Sequence, residues 1–268
     1  MSQRQTPTAL SIAGSDSGGG AGIQADLKAF AAAGVHGMTA ITALTAQNTV
    51  GVSAVHAIPA SIIVAQVRAV VEDIGVDAVK IGMLGDAETI AAVTEGLDLL
   101  DPGVPIVIDP VMVAESGATL LSGDGRAALV ELLLPRATVT TPNLPEAREL
   151  CGLGERATQL ELAGAVRGLG PRAVIVTGGH GESGTDVLDD GRGEPLLIPG
   201  PMHGDGAAHG SGCTHSSTVA ALLARGLEVR EAAPVARRVA ARAVANGLRD
   251  LGGGAGPVDV FGLRPLRS

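Results

Sequence analysis

A chain of 268 residues, 46% hydrophobic and 18% charged, is large and apolar enough to bury a substantial core, which excludes wholesale disorder. The formal net charge of −9 and the absence of Trp and Tyr exclude the usual nucleic-acid binders, since phosphate backbones require a basic face and single strands require aromatic platforms. A bound substrate ring must then be held by backbone, aliphatic and amide contacts.

The cysteines and the N-terminus indicate a cellular compartment. Cys151 and Cys213 do not have zinc or redox-motif spacing, which favours an intracellular protein without disulfides. The N-terminus lacks an apolar signal segment, and no stretch reaches the roughly 20 apolar residues of a membrane span. We therefore expect a cytoplasmic protein.

Short apolar runs alternate with longer helical patterns along the chain. The runs predict strands over Thr8–Ala13, Met38–Leu44, Ala78–Ile81, Pro105–Ile108, Thr138–Thr140 and Ala173–Val176. Apolar residues at helical spacing predict helices over Ile62–Ile74, Asp86–Leu99 and Arg126–Leu133, and the Ala-rich stretch Val219–Leu248 predicts two more. Nearly continuous apolar strands that alternate with helices are typical of a parallel sheet covered on both faces.

The later part of the chain predicts a hairpin at the edge of the sheet, and the uninterrupted alternation predicts one domain. Thr185–Leu188 and Pro195–Ile198 flank Asp189-Asp190-Gly191, which predicts a hairpin at the edge of the sheet. No linker interrupts the alternation, so residues 1–268 are predicted to form a single domain, with residues 1–7 as a disordered tail. Because ligands of open parallel sheets bind at the carboxyl ends of strands, the loops that follow strands are the candidate functional segments.

The first such loop, from Gly14 to Gly22, is rich in glycine, which lets the backbone approach a ligand closely. Its end fits the dinucleotide pattern GxGxxA. A nicotinamide enzyme also needs an acidic residue after the second strand, however, and Gln47-Asn48-Thr49 stands there instead. A tight turn without a ligand would leave three successive glycines and Asp16 unexplained.

Amide side chains follow the second predicted strand. The amides of Gln47 and Asn48 suit the ring nitrogen and exocyclic amine of a heteroaromatic substrate. The alternative is an Asn that caps a turn beside a solvated Gln, and spacing alone favours that alternative.

Oxygen ligands follow two later strands. Asp109 comes after a buried strand, and Asn143 and Glu146 stand three residues apart at a helix start. Such groups are suited to hold the waters of a magnesium ion beside ATP phosphates. Asn143 and Glu146 also fit an N-cap with its capping-box partner, and both interpretations can hold together. Thr177-Gly178-Gly179-His180 follows another strand and suggests a nucleotide-proximal loop, in which a lone His is more often structural.

The segment Gly204-Asp205-Gly206-Ala207-Ala208-His209-Gly210-Ser211-Gly212-Cys213-Thr214 leads into an apolar helix. The N–H groups of Ser211, Gly212 and Cys213 at the helix start can stabilise charge on a transferring phosphoryl group. We expect the helix dipole to lower the pKa of the Cys213 thiol toward neutrality, so that a thiolate accepts the proton of a substrate hydroxyl. Without further context, a small buried residue at a helix start is the more common role for such a Cys.

Six motifs, in order along the chain, resemble those of bacterial hydroxymethylpyrimidine/phosphomethylpyrimidine kinases. They are Ile12–Lys28, Thr42–Thr49, Val79–Leu84, Ile108–Met112, Thr141–Glu146 and Gly210–Thr214, within a resemblance that extends from about residue 8 to about residue 262. The resemblance implies a ribokinase-like three-layer α/β/α sandwich with a mostly parallel sheet and an antiparallel edge hairpin. It also implies ATP- and Mg²⁺-dependent phosphorylation of 4-amino-5-hydroxymethyl-2-methylpyrimidine and then of its monophosphate, in a homodimer.

The resemblance also assigns roles to individual residues. Substrate binding falls to Gly14, Ala21, Asp26, Gln47, Met83 and Val111. The anion hole falls to Gly210, Ser211 and Gly212, with Cys213 as the base where most ribokinase-like enzymes have an Asp. Nucleotide binding falls to Asp109, Asn143, Glu146, Thr177 and Gly179, with Asp109 and Glu146 serving the metal through water.

Some positions depart from the family pattern. Thr177 replaces a common Lys, which removes a cation and is expected to weaken the second phosphorylation. Ser211 replaces the usual Thr and keeps the hydroxyl, His215 stands where an apolar residue is usual, and Ala255 stands where a His is common. These departures leave the core chemistry intact but leave open a pyridoxal kinase, whose substrate is a similar hydroxymethyl heteroaromatic. A non-catalytic pyrimidine-binding sensor on the same fold is the alternative from another class, and the presence of the anion-hole glycines, the thiol and the metal-side residues argues against it.

Overall fold

An eight-stranded sheet forms the centre of the computed structural model, which describes residues 5–113, 117, 119–179, 184–203 and 207–263. The strands are β1 (Thr8–Ala13), β2 (His36–Ile41), β5 (Ala78–Ile81), β6 (Ile106–Ile108), β7 (Val139–Thr140), β8 (Val174–Val176), β9 (Asp186–Asp189) and β10 (Leu196–Ile198). Their order is β10-β9-β8-β7-β6-β5-β1-β2. Pairing is parallel from β2 to β8 and antiparallel for β8–β9 and β9–β10, so the predicted edge hairpin is confirmed.

Helices cover both faces of this sheet. They are α1 (Gly22–Ala32), α2 (Ala60–Asp73), α3 (Ala87–Leu97), α4 (Gly123–Ala128), α5 (Leu144–Cys151), α6 (Gln159–Arg167), α7 (Ser211–Ala224) and α8 (Val229–Ala245). Helices α1, α7 and α8 pack on one face, and α2 to α6 pack on the other. Within the described part of the chain, no helix is long and apolar enough to cross a membrane.

Alternate residues of each central strand enter opposite cores, because successive side chains of a strand point to opposite faces. Leu10 and Ile12 of β1 pack in the core beneath α2 to α6, whereas Ala9 packs beneath α1 and α7. The alternation of Ile106 and Ile108 with Val107 follows the same rule in β6. The continuous apolar runs in the sequence therefore reflect burial on both faces.

The prediction of one strand over Met38–Leu44 is wrong. β2 ends at Ile41, and the chain then enters a separate two-stranded antiparallel sheet of β3 (Ala43–Gln47) and β4 (Val52–Ala57). The break lies at Thr42, whose N–H donates to Ala13 O and whose Oγ1 donates to Met83 O at 2.8 Å. Apolar content alone does not reveal this break, because both segments are apolar.

Two helical predictions also need correction. The segment predicted as one helix over Arg126–Leu133 is α4 from Gly123 followed by a wider π-helical turn over Leu129–Leu133. The first of the two late helices begins at Ser211 rather than near Val219, since the polar turn residues continue directly into it. Residues 1–4, Gly204–Gly206 and His180, for which predictions were made, lie outside the described residues.

Candidate active site

A cleft opens at the carboxyl ends of the parallel strands, where the loop after β1, the small β3–β4 sheet and the start of α7 meet. Its lining includes nearly every residue predicted for the site: Gly14, Ala21, Gln47, Met83, Asp109, Val111, Asn143, Glu146, Thr177, Gly179, Gly210, Ser211, Gly212 and Cys213. The fold therefore brings together segments that are as much as two hundred residues apart. Asp26 is the exception.

Asp26 lies beneath the cleft and does not line it. Its carboxylate is fully buried and accepts hydrogen bonds from Ser11 Oγ at 2.6 Å, Ser217 Oγ at 2.6 Å and Lys80 Nζ at 2.8 Å. Position in the motif suggested a substrate contact, but the side chain on α1 points into the helix–sheet interface. The structure places Asp26 as the counter-ion of a buried lysine.

Lys80 is a cleft residue to which the sequence analysis assigned no role. It lies in the central strand β5, its side chain is fully buried, and its ammonium group forms an ion pair with Asp26. Desolvation lowers its pKa, but Asp26, then Cys213 and Asp109, attract the ammonium and raise the pKa well above its ordinary value. Lys80 is therefore a permanent positive charge under the floor of the cleft.

Asp16 organises the glycine loop after β1. Its carboxylate accepts hydrogen bonds from the backbone N–H groups of Gly18 at 2.8 Å, Gly20 at 3.0 Å and Ala21 at 2.8 Å. Burial alone would raise the pKa of Asp16, but the hydrogen bond from His209 and those from the backbone hold it below its ordinary value. The successive glycines are thus wrapped around an ionised carboxylate.

Gly14, Ala21, Gln47, Met83 and Val111 line one part of the cleft, which is called the slot below. The Met83 methyl group fills the space that a side chain on Gly14 would take, so the absence of a side chain at Gly14 gives the Met83 thioether its place in the cleft. The Gln47 backbone is tied to the glycine loop, because its N–H donates to Ser17 Oγ at 2.8 Å and its carbonyl accepts from the same hydroxyl at 2.6 Å. Asn48 instead caps the turn to Gly51 and does not line the cleft.

The turn before α7 presents free N–H groups to the cleft. Gly210 has a φ of 84°, a left-handed conformation that favours glycine, and it is the N-cap of the helix. The Ser211 N–H already donates to Ala208 O at 2.9 Å, contrary to the prediction that it is free. Gly212 and Cys213 follow at the helix start, where N–H groups have no intrahelical acceptor. These two N–H groups are therefore the candidate anion donors of the turn.

The predicted low pKa of Cys213 is wrong for this cleft. Cys213 is half-buried at the cleft, and the density of protein around its thiol desolvates it and raises its pKa to about 12. Lys80 and the N–H of Gly22 oppose this rise, whereas Asp26 and Asp109 add to it. The helix dipole is therefore outweighed by burial and by two carboxylates that the sequence could not place nearby.

Asp109 and Glu146 lie close enough to interact. Asp109 is buried and accepts a hydrogen bond from Ser216 Oγ at 2.9 Å, and desolvation raises its pKa although Lys80 opposes this. Desolvation and then the Asp109 charge raise the pKa of Glu146 to about 8. Asn143 and Glu146 also form the expected capping box, with both hydrogen bonds at 2.9 Å.

The opposite end of the cleft contains polar side chains that the sequence analysis did not assign. Asp186 of β9 accepts from Gly178 N–H at 2.9 Å and lies 3.4 Å from His215 Nε2 and 3.5 Å from Arg237 Nε. Arg237 donates to Gly184 O at 2.6 Å and to Pro201 O at 3.0 Å. Of these, only His215 carried a sequence signal, as a polar residue where an apolar one is usual.

Comparison with known protein sequences identifies the family to which the chain is similar. The family model for phosphomethylpyrimidine kinase matches residues 16–259. The hydroxymethylpyrimidine/phosphomethylpyrimidine kinase of Rhizobium meliloti (strain 1021) is 49% identical over 267 residues, which cover 96% of this chain and 97% of that protein.

Solved structures agree with the sequence relatives. The phosphomethylpyrimidine kinase of Clostridium difficile 630 has a TM-score of 0.77 at 40% identity, covering 87% of this chain and 97% of that one. An ADP complex of Bacillus subtilis pyridoxal kinase has a TM-score of 0.86 at 39% identity, covering 95% of this chain and 97% of that one. The predicted ribokinase-like three-layer fold is thus confirmed, and the chain belongs to the phosphomethylpyrimidine kinase family.

Proposed function

We propose that this protein transfers a phosphoryl group from ATP to the hydroxymethyl group of 4-amino-5-hydroxymethyl-2-methylpyrimidine, and then to the resulting monophosphate, in thiamine synthesis. The observation that carries the proposal is that one cleft contains both the slot and the N–H groups and thiol at the start of α7. Membership of the phosphomethylpyrimidine kinase family supports the same reaction.

The pyrimidine fits the slot formed by Gly14, Ala21, Gln47, Met83 and Val111. In this arrangement the Gln47 amide pairs with the ring nitrogen and amine, and Met83 and Val111 supply apolar contacts to the ring faces. Asp26 acts beneath the slot, by holding Lys80 in place. The absence of Trp and Tyr makes such amide and aliphatic contacts the available means of holding a ring.

ATP occupies the other half of the cleft, along Asn143, Thr177 and Gly179, with the terminal phosphate toward α7. The N–H groups of Gly212 and Cys213 stabilise the charge of the transferring phosphoryl group. The Cys213 thiolate accepts the proton of the substrate hydroxyl. Thr177 supplies no positive charge, so the doubly charged monophosphate is expected to be the poorer substrate.

A magnesium ion fits beside Asp109 and Glu146. Desolvation raises the pKa of both carboxyls, and the Asp109 charge raises that of Glu146 further, so a nearby divalent cation would favour the ionised form of both. Asp109 and Glu146 would hold the ion together with ATP oxygens and water, since Mg²⁺ usually keeps several waters and binds through one or two carboxylates and substrate phosphates. When bound, the ion neutralises phosphate charge.

A direct assay tests the proposal. ATP consumption is measured with the hydroxymethylpyrimidine, its monophosphate and pyridoxal as separate acceptors. We expect turnover of the first and slower turnover of the second. The structural similarity to Bacillus subtilis pyridoxal kinase makes pyridoxal the second candidate substrate. Turnover of pyridoxal alone would make that the function, and pyrimidine binding without any transfer would indicate a sensor.

We further infer that the chain works as a single domain in a homodimer. The cleft takes residues from Gly14 to Val244, so it needs both ends of the chain. The β3–β4 sheet is separate from the main sheet, and in it and its turn Leu44, Val50 and Val55 are 46%, 67% and 55% exposed. Exposed apolar side chains on such a sheet are suited to pair with a second copy.

A further inference from the structure

Two loops 193 residues apart are joined by one buried polar contact. His209 Nε2 lies 2.9 Å from Asp16 Oδ2, with Asp16 1% exposed and His209 8% exposed. Asp16 belongs to the glycine loop of the substrate slot, and His209 opens the turn that presents the anion-binding N–H groups. The contact therefore spans the two halves of the proposed reaction centre.

The backbones of the same two segments are also in direct contact. A side chain on Gly210 would overlap the carbonyl of Gly20, and one on Gly20 would overlap the His209 ring. On its other side, His209 is held by backbone hydrogen bonds, from its N–H to Gly256 O at 3.2 Å and from Val258 N–H to its carbonyl at 3.0 Å. The turn thus has a fixed outer support, and its inner support is Asp16.

We propose that Asp16 and His209 are a positioning pair that couples the substrate slot to the anion hole. The inference rests on the proposed kinase function. One Asp16 oxygen accepts from both Gly20 and Ala21 and from His209, so any shift of the turn is transmitted to the N–H groups that shape the slot. Phosphoryl transfer depends on this alignment, because misplacement by about 1 Å can lower a rate about 100-fold.

The chemistry of the pair indicates which variants will fold. Without the His209 ring, Asp16 still accepts three backbone hydrogen bonds, so His209→Ala leaves no unpaired buried charge. In His209→Gln, the side-chain amide can reach the place of Nε2 and restore the donor. Asp16→Asn keeps the shape but replaces one acceptor oxygen by a donor.

Steady-state kinetics test the coupling. We expect His209→Ala and Asp16→Asn each to lower kcat about 10- to 100-fold, with KM for ATP nearly unchanged, and His209→Gln to recover most of kcat. The double variant Asp16→Asn/His209→Ala is expected to be no worse than the poorer single variant, because both remove one interaction. Asp190→Asn, which breaks the remote ion pair with Arg230, serves as the control with unchanged kcat.

Two results would overturn the proposal: multiplicative losses in the double variant, or a normal kcat in His209→Ala with only a lower melting temperature. Hydrogen–deuterium exchange keeps this test separate from the kinase assignment, since it needs no turnover. We expect His209→Ala to speed exchange in residues 16–22 and Asp16→Asn to speed it in residues 207–214. Exchange changes confined to the mutated segment would contradict coupling, even if the wild-type protein phosphorylated a different alcohol.

Discussion

Cys213 has a thiol whose charge is set by burial and by neighbours from three separate segments, β5, α1 and the loop after β6. Because burial raises its pKa to about 12, the thiol is protonated at neutral pH and the thiolate that can accept a proton is a minor species. The fraction of thiolate rises tenfold per pH unit below that pKa. Cys213 lines the cleft, where a proton acceptor is needed, and its raised pKa makes the fraction of thiolate, and so the rate, depend on pH.

We expect kcat to rise with pH above neutrality in the wild-type enzyme, and Cys213→Ala to lose most turnover while it retains pyrimidine binding. Cys213→Asp provides the matched control, since a carboxylate titrates several pH units lower than this thiol. Rate profiles at fixed MgATP check this. A rise that persists unchanged in Cys213→Asp would assign it to another group such as Glu146, and near-normal activity in Cys213→Ala would remove Cys213 as the base.

Gln47 is predicted to recognise the substrate ring. Gln47→Leu keeps the size of the side chain but removes its hydrogen bonds, so pyrimidine binding should weaken by about 1–3 kcal/mol while ATP binding stays the same. Isothermal titration calorimetry with each ligand measures both. Asn48→Ala is the control, because Asn48 caps the adjacent turn without lining the cleft. Equal losses for both ligands in Gln47→Leu would indicate a structural role.

At the scale of elements, three of the described helices, α5, α6 and α8, begin with a capping box, and only the capping box of α5 lines the cleft. Asn143 and Glu146 cap α5, and Thr158 and Glu161 cap α6 at an exposed position. Loss of either cap side chain costs about 1 kcal/mol, so Asn143→Ala and Thr158→Ala should lower stability similarly. We expect Glu146→Gln to raise the Mg²⁺ concentration needed for turnover and Glu161→Gln to leave it unchanged. Titration of activity against Mg²⁺ distinguishes them, and a matching response in the two variants would limit Glu146 to capping.

The raised pKa of Glu146 also predicts how the stability of the protein depends on pH. Its carboxyl has an ordinary pKa of 4.5 and a folded-state pKa of about 8, so between these values the folded protein binds a proton that the unfolded chain has lost. Its contribution to stability therefore falls as pH rises from about 5 to 8. Melting temperatures in EDTA should decline less over this range in Glu146→Gln than in the wild type. Parallel curves would show that Glu146 ionises normally.

At the scale of the whole molecule, the β3–β4 sheet is the proposed dimer contact. A charge in its exposed apolar surface should oppose association, so in light scattering we expect a dimer for the wild type and a monomer for Leu44→Glu with Val55→Glu. Leu197→Glu is the control, since Leu197 is 56% exposed at the opposite edge of the main sheet. If Leu197→Glu is monomeric and the double variant is not, the dimer contact lies at β10 instead.

The sequence by itself determined the layered α/β architecture and most of the cleft. Apolar runs report burial directly, which is why β1 and β5 agree with prediction to the residue. Glycines, amides and carboxylates that follow strands predict the lining of the cleft, because the carboxyl ends of parallel strands meet at one edge of the sheet. The order of the motifs along the chain then narrowed the predicted function to that of a hydroxymethylpyrimidine kinase.

Only the tertiary structure decided the electrostatics and the long-range contacts. Desolvation and charge depend on neighbours distant in sequence, so the raised pKa of Cys213 and the pairing of Asp26 with Lys80 could not be derived from local pattern. The bend at Thr42 and the contact of Asp16 with His209 likewise depend on side chains that meet only after the sheet forms. Local residues therefore specified which groups reach the cleft, while the packing around them specified their charge and alignment.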